Sequence, residues 1–311
     1  MSSPATGVLI MAYGSAPSME DEAIFNYLRH ILQYYRRTDP SEAEFDDLRE
    51  RYRRTGESPL YRITEGITEG LQQALQQRKA SAQFRTYMAM KHSPPFIEEV
   101  VEQMAEDGLQ RAIAVALSPF RSRLSTEGYY RMVKEANEGL EQPLDWFFTG
   151  DWNLHPLFLE LWQDRLQEAL KGKEDVFVIF TNHSLPARIQ EWNDPYGSEF
   201  EATAEKLAEQ CSLTHWTTAY QSQGGGNQSW LGPPLEQVLR ERKDQGSRDF
   251  LLAPVGFLMD HLEVLYDLDI EASSQADRLG ITLARTPMPN DDPRFISMLA
   301  DLVEAQYRQE T

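Results

Sequence analysis

The chain has a single cysteine, Cys211, among 311 residues. One thiol closes no intrachain disulfide and supplies neither a CxxC zinc pair nor the four thiolates of an iron–sulfur cluster. A metal handled here must therefore meet imidazole and carboxylate. Long apolar runs are missing too: none approaches the roughly 20 residues that a membrane-spanning helix requires. The amino terminus, MSSPATGVLIMAYGS, lacks the basic flank of a signal peptide, so its short apolar run reads as a first strand and the protein is expected in the cytoplasm. Basic charge is scarce. Lys and Arg number 30 against 49 Asp and Glu, a formal net charge of −19, which argues against a nucleic-acid binder that neutralises phosphates. Such a field suits a cation, and an anionic ligand would need a local basic patch. No polybasic segment for docking to a membrane is present. The run Gly224-Gly225-Gly226 fits neither GxxxxGK[ST] nor GxGxxG, so no nucleotide site is read there.

What is present describes a globular protein. Apolar residues make up 41% and charged residues 25%, and this length buries a substantial core as one large domain or two ordinary ones. Strand-like apolar runs occur at residues 7–12, 85–90, 112–117 and 144–148, and again at 176–181, 216–220, 250–255 and 281–284. Charged, periodic stretches of helical length lie between them, for example 59–78, 94–107, 156–170 and 200–210. Short buried strands alternating with helices imply parallel sheets covered on both faces, with right-handed crossovers. The two sets of four open alike, with VLIMAYGS and VFVIFTNHS. We therefore expect an α/β fold of two similar doubly wound domains with parallel four-stranded sheets, residues 1–148 and 149–311, the last helix packing back on the first domain. Ligands of such sheets bind beyond the carboxyl ends of the strands.

Several chemistry-bearing residues fall at those ends. His183 follows the apolar run at 176–181, where an imidazole exchanges protons or ligates a divalent metal; the same placement suits a histidine that only hydrogen-bonds at a strand end. After the run at 250–255, a helix is expected from about Asp260, which is placed to cap it. Along that helix Glu263, Asp267 and Glu271 are spaced at i, i+4 and i+8, one acidic stripe with no Lys or Arg between Asp260 and Glu271. It reads either as a solvated face or as a carboxylate ladder that passes a hydrated cation inward. Tyr13 ends the first strand. Arginines 29, 36, 37, 49, 51, 53, 54 and 62 form a lysine-free basic segment, and the guanidinium fork grips carboxylates in a way that an ammonium does not.

Taken together, these stretches resemble the ferrochelatases along nearly the whole chain. The matching runs are Met11-Ala12-Tyr13-Gly14, Ser58-Pro59-Leu60, Lys91-His92, His183-Ser184-Leu185-Pro186, Asp194-Pro195-Tyr196, Gln221-Ser222, Trp230-Leu231-Gly232-Pro233 and 254–267. The resemblance implies two Rossmann-like domains embracing a porphyrin, with His183 and Glu263 as catalytic pair and inner metal site. Asp267 and Glu271 would lead the metal in from the surface. It also implies a porphyrin site lined by Tyr13, Arg51, Tyr52, Ser58, Lys91, His92 and Tyr129, with Tyr13 approaching iron on the face opposite His183. The Met-Ala-Tyr-Gly form is similar to the branch acting on coproporphyrin III. Fe2+ is then a substrate, with no prosthetic group and no iron–sulfur cluster, and the partners are porphyrin, Fe2+ and transient haem-pathway proteins. Cobalt or nickel insertion, or silent porphyrin carriage, are the alternatives. Two loops depart from the family pattern. The expected His-Ile-Arg-Arg-Gly-Arg-like stretch reads His30-Ile31-Leu32-Gln33-Tyr34-Tyr35-Arg36-Arg37, so Leu32 stands where an arginine would bind a propionate and Arg36 is the nearest substitute. Arg121 and Arg123 replace less basic residues and are candidates for the missing carboxylate contacts.

Overall fold

A computed structural model describes residues 5–78, 83–224 and 228–309. Strands β1 (Thr6–Ala12), β2 (Phe84–Met90), β3 (Arg111–Ala116) and β4 (Asp145–Phe148) form one parallel sheet in the order β2-β1-β3-β4. Strands β5 (Val176–His183), β6 (Trp216–Gln221), β7 (Asp249–Ala253) and β8 (Thr282–Arg285) form a second, in the order β6-β5-β7-β8. The same strand order thus occurs twice, and every strand lies within two residues of its expected limits. One of those shifts matters. His183 is not beyond β5 but its last residue, in register with Gln221 of β6.

Burial explains why these segments become strands. Val8, Leu9, Ile10 and Met11 of β1 have no accessible surface, as expected of a central parallel strand covered on both faces. Val8 and Ile10 face α3 (Leu60–Gln77), joining Ile63, Ile67 and Leu71. Leu9 and Met11 face Ile97, Val101, Met104 and Tyr129. The first of these clusters continues through Phe158, Trp162, Phe180 and Phe295, so one apolar core crosses both halves. Full burial of a side chain such as Phe180 contributes roughly 1.5–3 kcal/mol. The carboxy-terminal helix Pro293–Gln309 returns to α3, where Gly70 allows close approach: a Cβ there would lie 2.5 Å from Ile296 Cδ1. Arg78 at the end of α3 binds Asp301 and Ser297 of that helix.

Two more helices complete the wall of the first half, α1 (Asp21–Arg36) and α2 (Glu42–Thr55). A capping box sets the start of α2: the Ser41 hydroxyl accepts from Glu44 N, and Glu44 accepts from Ser41 N. Among the described residues, no helix is long and apolar enough to cross a membrane. Gly225 and Gly226 of the glycine run lie outside the described residues.

Candidate functional site

The end of β5 is held by its neighbours. The Asn182 side-chain oxygen accepts from His183 N at 2.8 Å and from the Tyr196 hydroxyl at 2.8 Å. Gly256, after β7, passes so close that a Cβ would sit 2.0 Å from that same oxygen. Glycine is therefore required here, and the strand end cannot shift without breaking these contacts. His183 Nδ1 lies 2.6 Å from Ser184 O. Because a carbonyl only accepts, Nδ1 carries hydrogen, and Nε2 is the atom turned to Glu263, 3.5 Å from Oε2.

A second imidazole mirrors the first. His261 Nδ1 lies 3.0 Å from Met259 O, and its Nε2 is 3.7 Å from the same Glu263 Oε2. Phe257 packs beside both rings, at 6.2 Å from His183 and 5.2 Å from His261. Burial by itself would lower the pKa of His183, but the Glu263 charge, the hydrogen bond to it and the Ser184 carbonyl outweigh this and raise it. The Glu263 carboxyl moves the other way: burial opposes ionisation, and the two imidazoles overcome it. Glu263 is enclosed by protein on most sides, yet its side chain keeps 40% of its accessible surface. Water thus reaches the pair and screens it.

The acidic stripe differs from the expected α-helix. After Leu262 and Glu263 the chain forms a π-helix, Val264–Ala272, whose hydrogen bonds close i→i+5. Its three acids are not equivalent. Asp267 binds Arg51 Nη1 at 3.1 Å and accepts a short hydrogen bond from Ser222 Oγ. Burial, followed by the Glu263 charge, pushes its pKa up to about 6, against the pull of Ser222 and Arg51. Glu271 is exposed. The acidic segment as a whole also gains cations from elsewhere in the chain. Arg51 comes from α2, and Arg285 of β8 binds both Asp260 and Asp269. Asp260 does not cap the helix; its carboxylate is taken by Arg285 and Asn290, each at 2.8 Å.

Facing this group, the first half contributes aromatic rings and buried bases. Tyr13 follows β1 and is 38% exposed. Its phenol pKa is raised by burial, by neighbouring tyrosines and by the Glu263 charge. Lys91, after β2, is 1% exposed. Its Nζ donates to Tyr35 OH at 3.0 Å and lies over the rings of Tyr34, Tyr35 and Tyr129, at 4.7, 5.2 and 5.2 Å. No carboxylate pairs with it among the described residues, and burial lowers its pKa to about 8. His92 is equally buried, with Nδ1 3.0 Å from His30 Nδ1 and its ring edge against Tyr13. Its Nε2 has no hydrogen-bond partner among the described residues.

Other expected porphyrin-site residues are placed differently. Tyr52 is buried beside Ala16, Ile24 and Leu262, and its hydroxyl accepts from Ala16 N at 2.8 Å. It supports the loop after Tyr13 and has almost no surface to offer a ligand. Ser58 is buried at the start of α3, where its hydroxyl accepts from Leu60 N. Tyr129 is buried against Lys91. Arg51 is occupied by Asp47 and Asp267 and stacks over Tyr266 at 4.7 Å. Leu32 is buried and Arg36 pairs with Glu44. Arg121 pairs with Asp151 and Glu199, whereas Arg123 makes no ion pair among the described residues.

Three features of the site were not singled out in the sequence: His261, Ser222, and the box of Tyr34 and Tyr35. His261 had a visible signal, since it stands two residues before Glu263 in the run that carried the resemblance. Ser222 had one too, in the short run Gln221-Ser222 that also carried the resemblance.

The same parallel sheet thus occurs twice, and an imidazole and a carboxylate meet beside the end of β5. Among solved structures, SirB from Bacillus subtilis with Fe3+ superposes with a TM-score of 0.58 at 10% identity, over 98% of this chain and 97% of that one. Residues 5–307 match the family model for ferrochelatase. The coproporphyrin III ferrochelatase of Geobacillus thermodenitrificans is 39% identical, covering 100% of this chain and 98% of its own length. That of Listeria monocytogenes is 38% identical over 97% and 98%. The chain belongs to the ferrochelatase family.

Proposed function

We propose that this chain inserts ferrous iron into coproporphyrin III, giving coprohaem in haem synthesis. The observation that carries the reading is the Glu263 carboxylate bracketed by two imidazole Nε2 atoms and facing tyrosines from the other half. The names of the relatives support coproporphyrin III as the porphyrin.

Insertion removes two N–H protons from the porphyrin as Fe2+ replaces them. His183 accepts a pyrrole proton at Nε2, or ligates iron there, and Glu263 acts with it as second acceptor or ligand. The two titrate as one unit. His261 holds the second imidazole edge against the same oxygen and passes protons on. An imidazole and a carboxylate, His183 and Glu263, are donor types suited to ferrous iron. Asp267 and Glu271 lead hydrated iron inward from the surface, and Arg51 and Ser222 fix Asp267 in place. Tyr13 faces the porphyrin, and Lys91, His92 and Tyr129, which have almost no accessible surface, support the wall behind it. Binding energy drawn from the carboxylate periphery helps to bend the ring toward the geometry of metal insertion. In this reading residues 1–148 and 149–311 are two domains, the protein is cytoplasmic, and no prosthetic group or iron–sulfur cluster takes part.

The test is anaerobic: purified protein with Fe2+ and either coproporphyrin III or protoporphyrin IX, followed by absorption. Multiple turnovers, faster with coproporphyrin III, are expected. Preference for protoporphyrin IX overturns the choice of porphyrin. Binding without turnover indicates a carrier, and turnover with cobalt or nickel alone indicates a different chelatase.

A further inference from the structure

Arg123 and Arg188 come from different halves of the molecule. Arg123 lies in the loop after β3, and Arg188 lies five residues beyond His183 in the 3-10 turn Ala187–Trp192. Both guanidinium groups lie over one indole, that of Trp192, at 6.0 and 5.6 Å from its centroid. Both side chains are exposed, and neither makes an ion pair among the described residues. The neighbouring Arg121, by contrast, is tied to Asp151 and Glu199.

The nearby acids are directed elsewhere. Asp194, two residues after Trp192, accepts from Arg123 N at 2.8 Å, Ser122 Oγ at 3.1 Å and Tyr196 N at 3.1 Å. Its charge therefore fixes the backbone that carries Arg123 and is not paired with the guanidinium. The second loop is fixed as well: Ala187 N donates to Ser229 O at 2.8 Å and Leu231 N to Leu185 O at 2.9 Å. An exposed cation–π contact contributes only about 0.5–1 kcal/mol and leaves the guanidinium N–H groups free to donate to an anion. An anion completes such an arrangement, and a guanidinium fork matches the two oxygens of a carboxylate.

We propose that Arg123, Arg188 and Trp192 form a carboxylate-binding subsite at the rim of the His183 site, which reads a peripheral carboxylate of the porphyrin. The inference rests on the porphyrin reading above and deepens it. A tetracarboxylate porphyrin presents carboxylates around its whole edge, and a dicarboxylate porphyrin only along one side. A basic subsite at one edge of the ring therefore discriminates between them.

The experiment is a fluorescence titration of coproporphyrin III and of protoporphyrin IX against the wild type, Arg188→Gln, Arg123→Gln, the double variant and Arg188→Lys. Each Gln variant is expected to weaken coproporphyrin III about tenfold, the loss of one charged hydrogen-bonding group, and protoporphyrin IX by a clearly smaller factor. Arg188→Lys should recover part of the loss. Equal weakening of both porphyrins, or none, overturns the subsite. The function fails separately: a wild type that binds neither porphyrin sinks both readings. A wild type that inserts iron while its variants keep the same preference sinks the subsite alone.

Discussion

The two walls of the site are built on opposite principles. On the second half, His183, His261 and Glu263 are hydrogen-bonded and keep part of their side-chain surface accessible to water. On the first half, Lys91 and His92 have almost no accessible surface and are enclosed by tyrosine rings with no acid to pair with. One wall presents lone pairs and negative charge, suited to a cation and to protons. The other presents the exposed Tyr13 ring, backed by buried aromatic and basic groups, suited to packing against a flat ring. The same strand order produces both, so the division lies in the side chains at the strand ends and not in the sheets.

Removing the charge from the second wall should have the largest effect. Glu263→Gln is expected to lower kcat about a thousandfold, the scale of a lost acid–base group, while porphyrin still quenches intrinsic fluorescence on binding. Loss of porphyrin binding in this variant would blur the division between the walls. His261→Asn should cost less, about tenfold in kcat, as for a group that orients a reacting one; an unchanged rate would leave His261 without a part in the reaction.

Asp267 sharpens the comparison through pH. Its carboxyl titrates near 6, so it is charged above that pH and neutral below. The KM for iron should rise as pH falls through 6, and Asp267→Asn should have a high KM that no longer follows pH in that range. A wild-type KM flat between pH 5 and 7 would remove Asp267 from the iron path.

The first wall should answer in stability. Lys91 has a folded-state pKa of about 8, below its ordinary 10.5. Below pH 8 the folded protein therefore holds a charged lysine at a cost, and that cost vanishes as pH rises from 8 to 10.5. Lys91→Met should unfold at higher temperature than the wild type at pH 7, by on the order of 3 kcal/mol or less in stability, and the difference should close near pH 10.5. Thermal melts at both pH values check this, and a less stable variant at pH 7 would contradict it.

The fold was legible because central parallel strands are continuous apolar runs, and Val8–Met11 or Val178–Phe180 can hardly be anything else. The π-helix was not legible. A spacing of i, i+4 keeps acids on one side of either helix, so Glu263, Asp267 and Glu271 look the same until the hydrogen bonds are known. Long-range pairing was hidden as well: Arg51 and Asp267 are 216 residues apart, and nothing local to either announces the other. The burial of Tyr52 and Lys91 was missed for a related reason, since a hydroxyl or an ammonium reads as exposed until its partners, Ala16 N and Tyr35 OH, are in place. His183 drew notice as an imidazole just after the apolar run at 176–181 and Glu263 through the i, i+4 spacing of the acids, while their pairing came from the family resemblance alone.

The most direct test of the division between the walls is His183→Ala, measured anaerobically for coproporphyrin III binding and for iron insertion in the same sample. Porphyrin affinity close to that of the wild type with no iron insertion is the predicted result. Near-normal insertion would contradict it.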